Sequence, residues 1–307
     1  VCMMAGTASL PHVMMRYFTT PSVKSARRSV GWSLFFIFLL YSSAPMLATL
    51  SKLSLMDPNL ATGIIGKSIA DVQALDWYQN WNQANLMFVS DFNGNGTLEL
   101  NEFFMGGKAV VLATPEIAGL PYVISGLVAA GGMAAAMSTA DGLVLAIANA
   151  LSHDLYYKII DPKAETAKRL IVARVLLVII GFAGATIAAL EIQGILGSVI
   201  WAFDFAMSGL FFPLVLGVWW KRANAQGAVA GMLLGLASGT AYLIWVRTGG
   251  AGFWGVTQLT FGIVGSLVSL VSMVVVSLIT KAPDAATQRM VDEVRVPSGK
   301  TVLGKQH

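Results

Sequence analysis

Six apolar stretches of about 20 residues or more, separated by polar connections, leave this chain few ways to fold. A run of that length crosses the hydrocarbon core of a bilayer as a helix. In that medium each backbone N–H and C=O needs a partner within the protein, which a helix supplies from its own residues. The stretches lie at about 30–50, 117–151, 170–190, 195–220, 226–246 and 256–280, with a partial helix at about 2–17. The second exceeds one span, which predicts either tilt or a preceding re-entrant piece, with Pro115 and Pro121 marking its start. Of 307 residues, 56% are hydrophobic and 12% charged, about half the charged fraction of a soluble domain. The expected fold class is an all-α membrane protein with the lipid bilayer as its surroundings.

Lysine and arginine set the orientation. Arg16, Lys24, Arg27 and Arg28 cluster in the first connection, Lys158, Lys163, Lys168 and Arg169 in the third, and Lys221 and Arg222 in the fifth. Lys281, Arg289, Arg295, Lys300 and Lys305 occupy the tail. The alternate connections hold only Lys52, Lys67 and Lys108 in one long loop, and Arg247. The reading that follows is a cell (inner) membrane protein with cytoplasmic odd connections. Residues 1–18 close a transmembrane helix; 19–50 hold a cytoplasmic loop and a span; 51–115 form an extracytoplasmic loop; 116–280 hold five spans; 281–307 form a polar cytoplasmic tail, disordered or loosely helical around Pro283, Pro297 and Gly299. The net charge of +4 is topological, so no nucleic-acid partner is expected. A single cysteine, Cys2, excludes a disulfide framework and a thiolate metal site. The chain opens on Val1, without a signal-peptide pattern, and Met3 to Tyr17 reads as a helix already under way. A C-terminal fragment, with a missing N-terminal half, is the expectation.

Residues 91–102, DFNGNGTLELNE, match the EF-hand loop pattern. Asp91, Asn93 and Asn95 stand at positions 1, 3 and 5, Gly96 at the turn, Thr97 at the backbone-ligand position and Glu102 at the bidentate position, with Leu98 at the apolar one. Calcium takes six to eight oxygens in flexible geometry, and this spacing gathers them round one point. With few charges, the loop should bind weakly, at roughly 10⁻⁴–10⁻³ M, and order the exterior segment. An Asn/Gly-rich turn is the bland alternative. Asp76 to Phe88 is expected to supply the incoming helix.

Within the second span, Ser138, Thr139 and Asp141 interrupt a helix of small apolar side chains. Polar groups at bilayer depth mark functional sites by default. The Ala135 carbonyl, three residues before Ser138, would join the two hydroxyls as hard oxygen ligands for sodium; simple back-bonding to the preceding turn is the alternative. Asp141 points away from the hydroxyls and, with Asp204, Ser9 and His12, is a candidate for a substrate or cation path, or a satisfied packing residue. His153 and Asp154 should cap their helix and Glu191 a span end. Gly227, Gly231, Gly235 and Gly239 share one helix face and predict a close packing seam. No carboxylate pair, nucleophile with a base, P-loop or GxGxxG appears, so the chain is not read as an enzyme.

Four strings carry a family resemblance: GTASLPHVMMRYFTTPSVKSARRS, VLATPEIAGLPYVISGLVAAGG, MSTADGLVLAIANALSHDLYY and FPLVLGVWWKRANAQGAVAG. They resemble the sodium:solute symporter family, which includes proline, galactose and acetate carriers, and its acetate-permease-like bacterial branch. The resemblance implies the second half of a five-plus-five inverted-repeat (LeuT-type) bundle plus two extra spans. Residues 2–17 would end the sixth core helix, interrupted at the substrate site, and the four spans between about 30 and 220 would be core helices seven to ten. It also implies a sodium site on core helix eight at Ala135, Ser138 and Thr139, completed by a first core helix that this chain lacks. The expected function is sodium-coupled symport of a small organic solute, a monocarboxylate such as acetate being one option. The alternative is a transporter-derived membrane sensor with a calcium-binding exterior loop; a channel is disfavoured by the absence of charge rings or a filter sequence.

Overall fold

The structure, a computed structural model, describes residues 1–295 except 16, 18, 19, 191 and 193. Arg16, Glu191, Pro297, Gly299, Lys300 and Lys305 therefore lie outside the described residues. Helices dominate: α1 (Cys2–Ser9), α2 (Pro11–Met15), α3 (Val23–Met56), α4 (Ile69–Gln73), α5 (Asp76–Gln83), α6 (Val110–Ile117), α7 (Tyr122–Asn149), α8 (Thr166–Ala189), α9 (Ile195–Ala206), α10 (Phe212–Trp219), α11 (Ala225–Arg247), α12 (Gly262–Ile279) and α13 (Ala285–Arg295). Two short strands, β1 (Met87–Val89) and β2 (Phe103–Met105), pair antiparallel, with Phe88 opposite Phe104. Wide π turns extend α7 through Ala150–Ile160 and join α9 to α10 through Met207–Phe211.

Six helical stretches are long and apolar enough to cross a membrane: Val23–Met56, Tyr122–Ile160, Thr166–Ala189, Ile195–Trp219, Ala225–Arg247 and Gly262–Ile279. The excess length of the second has a local cause. Gly119, at φ +66°, breaks the chain after α6, and Pro121 precedes α7, so a separate short helix leads into the span. At its other end, His153 and Asp154 do not cap α7. The helix runs on through the π turns, and Asp154 pairs with Lys158 one turn later at 2.9 Å. The first helix is likewise two pieces rather than one: Leu10 is extended (φ −73°, ψ 119°) and separates α1 from α2.

The chain divides into two compact units, Val1–Arg27 with Gly142–His307, and Arg28–Asp141. In the first, α11 and α12 pack along a small-residue seam. Gly227, Gly231, Gly235 and Gly239 are all buried. They face a ridge on α12 with the same four-residue spacing, made by Phe261, Gly265, Ser269, Met273 and Ser277. A Cβ at Gly235 would stand 2.7 Å from Ser269 Cβ, and one at Gly231 would stand 3.0 Å from Met273 Cβ. Where lipid tails are as apolar as leucine, helices associate through such close backbone packing rather than through hydrophobic burial. The seam ends in polar fastenings. Asn224 accepts from Gly227 N–H at 2.8 Å and donates to Thr280 Oγ1 at 2.7 Å. Arg222 donates to the Leu278 and Thr280 carbonyls at 3.1 and 2.7 Å. The tail is ordered through α13: Arg295 donates to the Val218 and Trp219 carbonyls at 3.0 and 2.7 Å, and Lys221 pairs with Asp292 at 2.8 Å.

In the second unit, the segment between α3 and α7 is a small folded body. Leu55, Ile64, Val72, Tyr78, Met87, Leu98, Ala109, Ala113 and Ile117 form its core. The Tyr78 hydroxyl accepts from Val89 N–H at 3.1 Å, and Asn82 Nδ2 donates to the Met87 carbonyl at 2.8 Å. Ser51 and Thr114 hydroxyls meet at 2.9 Å. Asp76 to Phe88 is not one helix. Helix α5 stops at Gln83, Asn85 takes a left-handed φ of 56°, and Met87–Val89 turns to strand. Asparagines are weak helix formers that tolerate the left-handed region, while Phe and Val favour a pleated surface.

Candidate functional site

Alanines and glycines carry α7 past bilayer depth with almost no side-chain bulk, and Ser138 and Thr139 stand exposed on it. The Ser138 hydroxyl donates to the Ala135 carbonyl at 2.9 Å, and the Thr139 hydroxyl reaches the same oxygen at 3.4 Å. Three hard oxygens therefore converge on one turn. This is the back-bonded arrangement common for hydroxyls in membrane helices. It leaves chemistry open, because a hydroxyl that donates once still has two acceptor lone pairs. Back-bonding leaves the two hydroxyl oxygens free to accept, whereas the Ala135 carbonyl accepts from both hydroxyls. Asp141, two residues beyond Thr139, is also exposed.

A second polar group is buried elsewhere. Asp204 in α9 is 0% exposed, and neither of its carboxylate oxygens has a hydrogen-bond partner among the described residues. The Cys2 thiol and the backbone of Gly262 are the polar groups nearest it. Gly262 opens α12 and holds this approach because a Cβ there would stand 2.8 Å from Asp204 Oδ1. Four residues on, the Ser208 hydroxyl donates to the Asp204 carbonyl at 2.7 Å, inside the π turn; such turns recur at functional sites. Helix α1 packs against this region, with Gly6 abutting Phe203. Ser9 is buried with its hydroxyl donating to Ala5 O at 2.7 Å, and His12 is half-buried just past the break at Leu10. Cys2 and Gly262 carry no sequence signal for this role, because their importance lies in contacts between distant segments.

The 91–102 loop closes on itself through its own side chains. Asp91 accepts from Gly94 and Gly96 N–H at 2.7 and 3.0 Å, Asn93 from Asn95 N–H at 2.9 Å, and Asn95 from Thr97 N–H at 2.7 Å. Glu102 is 0% exposed and accepts from Phe92 and Glu99 N–H, each at 3.0 Å. Gly94 and Gly96 supply left-handed φ values of 72° and 70°. Leu98 is buried and exchanges both backbone hydrogen bonds with residues 66–67, which brace the loop. The side-chain oxygens of Asp91, Asn93, Asn95 and Glu102 thus share one turn, with the β1–β2 hairpin at its base where an EF-hand has helices. Among the described residues, no three His, Cys, Asp or Glu side chains gather as a metal cluster, and the Asp91 and Glu102 carboxylates here accept from backbone N–H groups.

Residues 108–235 match the sequence model of the sodium:solute symporter family. An uncharacterized symporter of Cupriavidus necator is 41% identical over 304 residues, covering 96% of this chain and 44% of that protein. A monocarboxylic acid transporter of Corynebacterium glutamicum is 26% identical over 235 residues, covering 76% of this chain and 35% of that protein. The chain therefore spans less than half the length of either relative.

Proposed function

We propose that the protein carrying this chain couples sodium entry to the uptake of a small organic solute, a reading supported by the match of residues 108–235 to the sodium:solute symporter family model. One observation carries the reading: the Ser138 and Thr139 hydroxyls meet at the Ala135 carbonyl in an exposed turn of α7. Sodium supplies the downhill ion and draws in hard oxygens from more than one helix; the remaining ligands are assigned to a core helix outside this chain. Binding favours whichever conformation brings those helices together, and it shifts the equilibrium only by its differential affinity for the two states. The break between α1 and α2 is taken as the interruption of a core helix, with Ser9, His12 and Asp204 near the solute path and Asp141 as a further candidate.

The substrate class follows the Corynebacterium relative's name, so monocarboxylates such as acetate are tested first. The Lys/Arg distribution supports an orientation with the 51–115 segment outside the cell membrane and the tail in the cytoplasm. In that exterior segment, calcium bound by Asp91, Asn93, Asn95, Thr97 and Glu102 would fix the loop.

The test uses the full-length protein in proteoliposomes with labelled acetate, amino acids and sugars. Ser138→Ala with Thr139→Ala should raise the sodium concentration for half-maximal uptake tenfold or more, since a contact to a charged group is worth about 1.5–3 kcal/mol. Unchanged sodium dependence would remove the assignment.

A further inference from the structure

We propose that the cleft between α5, α6 and the first turns of α7 binds an organic cation, one bearing an amine or quaternary ammonium group. The cleft encloses about 890 Å³ and lies wholly within the second unit, a volume that suits a small organic ligand. Trp77 and Trp81 are four residues apart on α5, so one helix face presents two indoles to the space. Trp81 Nε1 donates to Glu116 Oε2 at 3.0 Å, which fixes both the indole and the carboxylate across the gap from α5 to α6.

The charge on the walls selects the ligand. Asp76 and Glu116 line the cleft, and no Lys, Arg or His does. Aromatic faces with nearby carboxylates and no basic residue attract a cation through the ring quadrupole and through direct charge, at about 0.5–2 kcal/mol per aromatic contact. The same walls repel a carboxylate, so this site is not a waiting place for a monocarboxylate. The floor adds a polar anchor: Ser125 Oγ of α7 is buried without a hydrogen-bond partner among the described residues.

The cleft is separate from the hydroxyl pair. Ser125 precedes Ser138 by 13 residues on one continuous helix, which is about 20 Å at 1.5 Å per residue. The proposal therefore does not depend on the sodium assignment, and either can fail alone.

Tetramethylammonium chloride is the probe, titrated by calorimetry into the purified full-length protein in sodium-free buffer, with potassium chloride at matched ionic strength as the control. Saturable heat with tetramethylammonium and none with potassium chloride is the expected result. Glu116→Gln keeps an acceptor for Trp81 but removes the charge; combined with Asp76→Asn it should weaken binding at least tenfold. Trp77→Leu should weaken it severalfold, while Trp77→Phe, which retains a ring, should weaken it less. Ser138→Ala should leave it unchanged. Absence of saturable heat would overturn the proposal. So would equal heats with potassium chloride, or undiminished binding in the folded Asp76→Asn, Glu116→Gln protein.

Discussion

Two helices of this chain are built on small side chains, and they meet opposite fates. On α11 the glycines at 227, 231, 235 and 239 are buried against α12 and the π turn. On α7, Gly126 and Gly131 open on empty space, and Gly132 meets only the tip of Leu112 at 4.0 Å. The wider pattern agrees: the apolar windows of the spans at Ile195–Trp219, Ala225–Arg247 and Gly262–Ile279 are 22, 28 and 33% buried, against 0% for those containing α3, α7 and α8. Small residues permit close approach, but only a matching ridge completes it. α11 has that ridge within the chain. The helix that carries the hydroxyl pair displays the same permission, and among the described residues nothing lies within 4 Å of a Cβ at Gly126 or Gly131.

The comparison predicts unequal responses to the same substitution. Gly235→Val places its Cβ 2.7 Å from Ser269 Cβ and in contact with the Ser208 backbone carbonyl, which cannot yield as a side-chain tip would. Overpacking of this kind should destabilise the protein by about 3 kcal/mol, read as a lower midpoint in detergent thermal unfolding. Gly131→Val meets no atom within 4 Å and should leave that midpoint unchanged for this chain. Equal losses at both positions would mean that α7 is as tightly partnered as α11, and the contrast would collapse.

A middle-sized effect is expected in the small folded body between α3 and α7. Glu102→Gln leaves one carbonyl oxygen and one amide where two carboxylate oxygens each accept a backbone N–H. A buried donor left without its acceptor costs about 1–3 kcal/mol. The variant should be cleaved faster between α4 and α6 in limited proteolysis, and any calcium heat of the parent should vanish. Identical calcium heats in parent and variant would dismiss the loop as a calcium site.

Much of this was readable before any coordinates. Apolar runs announced the six spans, because bilayer thickness sets helix length. The glycine stripe announced a seam, and the ridge that fills it repeats the stripe's spacing from Phe261 to Ser277. The turns of the 91–102 loop were legible because Asp91, Asn93 and Asn95 accept from N–H groups only two to five residues on, whereas its bracing by residues 66–67 was not. What was hidden depends on remote pairing. The strand at Met87–Val89 forms because Phe103–Met105 lies opposite it, which no window around residue 87 discloses. The π turns follow no residue signature, and the neighbours of Asp204, Cys2 and Gly262, come from segments far from it and from each other in sequence. The hydroxyl pair was visible as residues; its shared focus on Ala135 O was visible only as geometry. The Trp77–Trp81 spacing is present in the sequence, but the Glu116 that Trp81 meets lies 35 residues on.

At the cytoplasmic face proposed here, α13 should respond more modestly. Arg295→Ala removes two hydrogen bonds to the last carbonyls of α10, along with a guanidinium 5.5 Å over the Trp219 ring. A cation at a helix C-terminus is worth about 0.3–1 kcal/mol at an exposed site. Amide exchange in α13 should accelerate while the α11–α12 seam stays protected. Loss of protection in both would show that the tail helix supports the seam, against the separation drawn above.

The smallest effect is a dependence on pH. Asp284 precedes α13 and accepts from Thr287 N–H at 3.0 Å, and the hydrogen bond to Thr287 holds its carboxyl below the usual carboxylate range. A carboxylate depressed in the folded state stabilises that state above its unfolded value and loses the contribution as pH falls through the lower folded value. Exchange in α13 should therefore begin to rise as pH drops below about 4. Asp284→Asn keeps a good cap without a titrating group, so its exchange should lack that component of the acid response. If parent and variant loosen in parallel across this range, the helix is held by Arg295 and Lys221 alone, and its first turn contributes nothing to keeping the tail on α10.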